Sequence, residues 1–459
     1  MTSFLYLCFR IKESAMLSST YRYISLLLTA GFAVAGVAAQ PARVYRAEFV
    51  TYDKREDARR GVRDNIEKYI DISPALVSMG GGDDAKMIFE QQFDVPASWN
   101  DYNAYLHLEN VGWAYSVDIN GREAAHVEDA LTPADLFVSP YLVQGRNVLR
   151  VRYTRPSCDE LQRGIEPVGR DPFSGSYIFA QRRLGIYDFS ISLEPDSLRR
   201  FGILKLDVVV DNSFDFEETA SIGFDIYSPA GKLLEYSVND ITVAGHGRDT
   251  LRFSPYIYHT NENRWTPARP LLYDVMLYVK RDGILREYIP LRVGFGRTEF
   301  ADGRIVRFDA PLTLKRERYN AAADRRTTET QIKALKAKGV NTLCPDYPQP
   351  AWFYDLCDAT GMYVIDRASI NAPDRHLDRS VGGTPSNDPE LADEYLSRVK
   401  AMYGRARNHT CVIAFAMGGD DSGNGYNMYK AYEWLKSTGD PRPVIYGDAD
   451  GEWNSDIEL

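Results

Sequence analysis

Between Lys86 and Leu193 apolar and polar residues alternate in short runs, such as Ala104, Leu106 and Leu108, then Tyr115, Val117 and Ile119. A period of two places one face of a strand in a core and the other toward water. Asn120-Gly121 suits the positive φ angles of a two-residue hairpin, and Gly145-Arg146-Asn147 predicts a turn before Val148, Leu149 and Val151. Together these runs predict an all-β sandwich of roughly 110 residues. A second β-rich stretch, from Phe201 to Phe295, carries Ile203, Leu204, Leu206, Val208 and Val210, a Pro229-Ala230-Gly231 turn, and Leu272, Val275, Leu277 and Val279. Its length and strand spacing predict an immunoglobulin-like sandwich without that fold's usual disulfide.

After about residue 300 the period changes, and strands alternate with amphipathic helices, as in a βα barrel or parallel sheet. A helix over Thr328–Lys338 would bury Ile332 and Leu335 and stop at Gly339. Strands follow at Val340–Leu343, Met362–Asp366, Cys411–Met417 and Val444–Tyr446, with the first barrel strand expected near Ile305–Phe308. Asp388-Pro389-Glu390 opens a helix with a capping Asp and a Pro in its first turn, and Tyr426–Lys436 is the next helix. Ser455–Leu459 reads as the start of a sixth strand.

Composition narrows the class. The chain has 459 residues with 44% hydrophobic and 26% charged, which supports packed cores. Its net charge of −10 repels a phosphate backbone, so no nucleic-acid partner is expected. From Arg22 an apolar run over Ile24–Val37 ends in Val37, Ala38 and Ala39, the pattern of a cleavable leader, with cleavage expected before Gln40. The run is shorter than the ~20 residues of a spanning helix, so no transmembrane segment is expected after processing. Residues 1–15, ahead of Met16, fit no such leader, which is what a misassigned start codon leaves. The expected location is therefore the periplasm, the cell envelope or the outside. Cys158, Cys344, Cys357 and Cys411 form no CxxC pair and no cluster with histidine, so no metal site and no cofactor are expected. Gly80-Gly81-Gly82 reads as a flexible join, since no Lys and helix follow as in a phosphate loop.

Over residues 86–459 the order of these domains and the words within them resemble glycoside hydrolase family 2, the β-galactosidase and β-glucuronidase group. The resemblance rests on Val117-Asp118-Ile119-Asn120-Gly121, Gly145 to Val151, Ser174-Gly175-Ser176-Tyr177 leading to Gly185-Ile186, and Val293-Gly294-Phe295. It rests further on Trp352 to Asp358 with Gly361 to Asp366, Arg407-Asn408-His409, Ser422 to Asn427, and Arg442-Pro443-Val444. The implied architecture is multidomain, β plus α/β: a jelly-roll sandwich, an immunoglobulin-like sandwich and an incomplete (βα)8 TIM barrel. The corresponding division is a leader over 1–39, an N-terminal segment over 40–83, a sugar-binding-like jelly roll over 84–196, an immunoglobulin-like domain over 197–298 and a partial barrel over 299–459.

The resemblance implies retaining glycoside hydrolysis, in which an acid/base carboxyl and a nucleophile carboxylate stand roughly 5–5.5 Å apart. The family's acid/base Glu falls within Met417-Gly418-Gly419-Asp420-Asp421-Ser422-Gly423. Counting back from Ser422 assigns it to Asp421, and counting forward from Asn408-His409 assigns it to Asp420; either carboxylate is a methylene shorter than Glu. Substrate contacts would come from Asp346 and Tyr347, in Pro345-Asp346-Tyr347-Pro348 where the family has Ser-His-Tyr-Pro, and from Asp366, in Asp366-Arg367-Ala368-Ser369 where it has Asp-Glu-Ala-Asn. Arg316 to Asn320 lacks the family's His, and Phe179-Ala180-Gln181-Arg182 stands where the first domain of the family has an acidic word. A complete barrel needs about 250 residues against 160 here from residue 300, and the family's nucleophile strand would lie beyond Leu459.

These departures predict a degenerate, truncated member that is inactive alone and retains glycan binding. The alternatives are a non-catalytic structural or interaction protein of the cell envelope, or one part of a split hydrolase whose protein partner covers the open barrel. An open sheet edge also predicts that residues 300–459 are the protease-sensitive part unless covered. Several residues have plainer readings as well. Asp420 and Asp421 suit capping of a helix near Asn424, Trp99, Trp113 and Trp265 suit core or edge packing, and Arg182, Arg183, Arg316 and Arg318 suit a solvated face.

Overall fold

Asn120 and Gly121 both adopt positive φ (53° and 79°) and close the hairpin between Tyr115–Ile119 and Arg122–Val127, as the dipeptide predicts. The computed structural model containing this hairpin describes residues 43–61, 68–79, 87–153, 161–165, 167–373, 375 and 377–457. The leader over 1–39, the Gly80-Gly81-Gly82 join and Cys158 lie outside the described residues.

Two five-stranded antiparallel sheets build the first sandwich. One runs Arg43–Val44, Ala134–Phe137, Tyr102–Leu108, Tyr177–Arg182, Tyr69–Asp71; the other runs Ala75–Met79, Met87–Val95, Gly145–Tyr153, Tyr115–Ile119, Arg122–Val127. Leu106, Leu136 and Ile178 from the first sheet and Val117, Leu149 and Val151 from the second share one core. The segment over 40–83 is thus part of this sandwich, since three of its short strands pair into the two sheets.

The second sandwich begins at Leu184, earlier than the expected 197. Leu184–Pro195 pairs along its whole length with Gly202–Asn212, and Phe189, Ile191 and Leu193 join Leu204, Leu206, Val208 and Val210 in the second core. The opposing sheet runs Leu233–Val243, Glu218–Tyr227, Leu272–Arg281, Ile284–Gly294.

Ile305–Phe308 does not open the parallel sheet. Asp302 and Gly303, both at positive φ, turn Thr298–Ala301 back onto Arg304–Arg307 in a small antiparallel sheet, a local hairpin signal that outweighs the apolar run. The parallel sheet starts at β1 (Arg316–Arg318) and continues in sequence order through β2 (Thr342–Cys344), β3 (Tyr363–Arg367), β4 (Val412–Ala416) and β5 (Val444–Ile445). All five residues of β4 are buried, as a central parallel strand requires, whereas the charged β1 is exposed. Ile457 adds a parallel bridge to Ile445, where a sixth strand was expected to begin.

Four helices cover the sheet: α1 (Arg325–Ala337), α2 (Ala351–Thr360), α3 (Ala392–Ala406) and α4 (Tyr426–Ser437). Asp324 caps α1 by accepting the Thr327 N–H at 2.9 Å, and Ile332 lies in the core. Gly361 ends α2 at φ 72°, where a Cβ would sit 2.6 Å from the Pro267 carbonyl oxygen of the second sandwich, so both conformation and contact demand glycine.

Each sandwich holds one end of the parallel strands. At the amino-terminal end of β4, Arg407 pairs with Asp188, Asn408 bonds the backbone of Phe189 and Ile191, and Thr410 Oγ1 accepts the Gly294 N–H at 2.8 Å. At the carboxy-terminal ends the first sandwich reaches in through Asp129, fully buried, which accepts from Ser369 Oγ at 2.7 Å and pairs with Arg43 at 3.2 Å. Residues 300–459 are therefore docked on both sandwiches, while the edge strand β1 stays exposed. Among the described residues no helix is long and apolar enough to cross a membrane.

Candidate functional site

In a parallel sheet the loops after the strand carboxy-terminal ends carry the chemistry. Asp346, Tyr347, Asp420 and Asp421 lie there and Asp366 lies within the last residues of a strand, each with different surroundings.

Asp346, after β2, is 5% exposed and heavily engaged. Arg318 Nε donates to its Oδ1 at 2.6 Å, Asn320 Nδ2 to its Oδ2 at 2.8 Å, and an Arg367 guanidinium nitrogen stands 3.5 Å from Oδ1. Asn320 completes the clamp by accepting the Asp346 N–H at 2.9 Å. Arg318 is exposed, as a solvated face requires, and also holds Asp346. Tyr347, next in the chain, is buried, and its hydroxyl accepts the Val168 N–H at 3.0 Å.

Asp366, the fourth residue of β3, is fully buried. Tyr354 Oη donates to its Oδ1 at 2.8 Å, while Oδ2 has no hydrogen-bond partner. Burial pushes its pKa up to about 7, against the opposing hydrogen bonds from Tyr354 and the Arg367 N–H.

Asp420 and Asp421 are exposed, and neither carboxylate has a hydrogen-bond or ion-pair partner among the described residues. They cap no helix: α4 starts at Tyr426, whose N–H goes to Asn387 Oδ1 at 2.9 Å. The loop is held instead by Asp448, after β5, whose carboxylate accepts the Asp421 and Gly423 N–H groups at 3.1 and 2.6 Å. Asp421 takes left-handed φ (67°), and Gly447 leaves room for Asp420, since a Cβ there would lie 2.6 Å from Asp420 Oδ1.

A segment of the first sandwich lies across these loops. Leu161 is buried in the core of the parallel unit, and its carbonyl accepts the Asn371 N–H at 2.7 Å. The Asn371 side chain bonds the Arg163 carbonyl, Gln162 Nε2 donates to Asp129 at 3.0 Å, and Arg170 donates to the Ala321 carbonyl at 2.9 Å. The segment therefore touches the loops after β1, β2 and β3. Asn371 also packs on Gly419, where a Cβ would stand 2.2 Å from Asn371 Oδ1. Beside this segment a cavity of about 340 Å³ opens between Glu109–Trp113, Pro167–Pro172 and Tyr347–Pro350. Trp113, 54% exposed, stands at it, whereas Trp99 and Trp265 are buried packing residues as expected.

Sequence reasoning missed Asn320, Asn371 and Asp448. The first two act across long chain separations and carry no local pattern, and the Asp448 capping of a distant loop follows from tertiary structure alone. No group of three or more His, Cys, Asp and Glu side chains is placed to hold a metal among the described residues. Cys344, Cys357 and Cys411 are free thiols, and burial raises the pKa of all three.

Residues 316–458 match the family model described as the TIM barrel domain of glycosyl hydrolases family 2. The chain is 27% identical over 373 residues to a β-galactosidase of Streptococcus thermophilus, covering 78% of this chain and 35% of that protein. It is 26% identical over 356 residues to a β-galactosidase of Vibrio cholerae, covering 74% and 34%. The chain thus spans about a third of the length of the curated relatives it matches. Among solved structures, a Bacteroides uniformis β-glucuronidase superposes with a TM-score of 0.66 at 16% identity, covering 81% of this chain and 48% of the other. A β-D-glucuronidase for Dictyoglomus thermophilum gives 0.63 at 14% identity, covering 81% and 67%.

Proposed function

Because the chain belongs to glycoside hydrolase family 2, we propose that it is an exported, carbohydrate-related protein that binds glycan without turning it over on its own. The observation that carries this reading is the fate of the strand-end carboxylates. Asp346 is neutralised by Arg318 and Arg367, and Asp366 is sealed behind Tyr354. Of the four singled-out acids, Asp420 and Asp421 are the ones open to solvent, side by side on one loop, where the family's Glu is expected. Two neighbours on one loop do not supply the opposed acid and nucleophile that retention requires. Asp421 or Asp420 keeps the acid/base position in this reading, Tyr347 lines the cavity offered to a sugar, and Asp346 and Asp366 are held by protein partners.

The two β units are a jelly roll and an immunoglobulin-like sandwich in this reading, and β1 to β5 are consecutive strands of a (βα)8 barrel; their sheet orders support it. The cavity beside Tyr347 offers a pyranose the exposed Trp113 ring, a platform suited to the C–H face of a sugar. Export rests on the apolar run and small-residue site ahead of Gln40. Saturation-transfer NMR with methyl β-galactoside and methyl β-glucuronide tests the binding claim. Transfer to at least one is expected, weakened about tenfold in affinity by Trp113→Ala; no transfer to either, or an unchanged response in the variant, counts against it.

A further inference from the structure

At the amino-terminal end of the parallel strands, opposite the strand-end acids, a cavity of about 450 Å³ lies between the second sandwich and the loops leading into β4 and β5. Seven basic side chains line it, and six have a carboxylate partner. Lys205 pairs with Glu194 at 2.9 Å, Arg297 with Glu299 at 3.3 Å, and Arg252 with Asp207 at 3.6 Å. Arg407 pairs with Asp188, Arg442 Nε with Asp440 at 2.8 Å, and His409 Nδ1 with Asp358 at 2.8 Å. Arg307 is the exception, with no carboxylate within ion-pair distance among the described residues, although it is only 4% exposed.

The Arg307 guanidinium is held by neutral oxygens. One terminal nitrogen donates to Thr298 Oγ1 at 3.1 Å and to the Thr410 carbonyl at 3.2 Å, the other to the Gly296 carbonyl at 3.2 Å. Its plane lies over Trp265, 4.9 Å from a ring centre, and Nε has no hydrogen-bond partner. A guanidinium has five N–H groups, so the contacts above leave the Nε hydrogen and one terminal hydrogen unused. The nearby Asp358 does not fill the gap, since its two oxygens go to His409 and to the Cys411 N–H at 2.7 Å. Burial pulls the Arg307 pKa down to about 10, which still leaves it charged at neutral pH. A buried charge without a counter-ion is costly, and an oxyanion in the polar cavity that this guanidinium lines would offset it.

We propose that this cavity is a binding site for a small molecule carrying one oxyanion group, a carboxylate or a sulfate ester, with Arg307 as its counter-charge. One negative charge completes the pairing of the lining, and the volume exceeds that of a bare ion, so the group arrives attached to a body of roughly monosaccharide size. The site lies on the other end of the sheet from Asp346, Asp420 and Asp421 and stands independently of the glycan reading above.

Isothermal titration calorimetry of the whole chain with glucuronate, galactose 6-sulfate and neutral methyl galactoside tests the proposal. At least one anion binds saturably, the neutral sugar does not compete for the site, and Arg307→Met weakens the anion by about tenfold or more. The binding anion identifies the head group. If neither anion binds, or if Arg307→Met binds as the parent does, the proposal is overturned. Should Arg307→Met fail to fold by circular dichroism, Ser192→Trp decides, because it fills the cavity from the strand wall and leaves the Arg307 acceptors in place. Unchanged anion binding in that variant overturns the site, and its loss supports it.

Discussion

Asp366 shows how a strand-end carboxyl becomes part of the framework. Its acid is raised from 3.8 to about 7 by burial, so the folded chain holds a proton that the unfolded chain has released. Between roughly pH 4 and 7 stability therefore falls as pH rises, and the loss is complete above the folded value. Asp366→Asn keeps an acceptor for Tyr354 Oη and removes the titration. Urea denaturation of the variant should show a flatter profile between pH 4 and 7 and a gain on the order of 2 kcal/mol at pH 8. An unchanged slope would show that Asp366 ionises freely in the fold. The role expected for this residue was a substrate contact, which the family resemblance of Asp366-Arg367-Ala368-Ser369 implied. The Tyr354 hydroxyl that holds it inward comes from α2, twelve residues earlier in the chain, and leaves no pattern to read.

Elements were most legible where periodicity and punctuation agreed. Leu204, Leu206, Val208 and Val210 alternate and are all fully buried, and α1 stops at Gly339 as its φ of 83° requires. Reading failed where a turn competed with an apolar run, as at Asp302-Gly303, and where short strands such as Arg43–Val44 and Tyr69–Asp71 take their place from partners rather than from their own pattern. Helix α2 was legible only as a family word, since its apolar residues face the core on nearly all sides. The Leu161–Gly164 segment is the element that most changes the strand-end face, and its attachment passes through Asn371 and Gly419. Gly419→Ala should push Asn371 off the segment, because the new Cβ would fall 2.2 Å from Asn371 Oδ1. Hydrogen exchange at the Asn371 amide, which now bonds the Leu161 carbonyl, should accelerate by about tenfold or more, with β4 itself still protected. Unaltered protection of that amide would mean that the segment is held without the Asn371 clip.

Across the whole molecule, buried ions rather than apolar area alone fix how the sandwiches meet the parallel unit. His107 sits at their junction, 1% exposed, with Asp135 at 2.7 Å and Glu109 at 3.6 Å, while Arg46 and the Arg405–Glu48 pair lie beside it. Burial opposes its charge, but the bonds to Asp135 and Glu109 prevail and push its pKa up to about 10. Its contribution is full below the unfolded value of 6.5 and is lost as pH rises toward that folded value. His107→Gln should cost about 3–5 kcal/mol at pH 6, with the gap to the parent narrowing by pH 10; a pH-independent gap would place the cost in packing alone. The junctions built this way leave the order of domains readable in the sequence but not their docking, since Asp129, His107 and Arg407 each find partners more than twenty residues away. They also deliver the strand-end face in the form described here, with Asp346 clamped, Asp366 buried, and Asp420 and Asp421 exposed. The most direct measurement is hydrolysis of nitrophenyl β-galactoside, β-glucuronide and β-mannoside by the purified chain, beside Asp420→Asn and Asp421→Asn. Release of nitrophenol should equal the buffer blank for all three proteins; turnover by the parent that disappears in either variant would contradict the account.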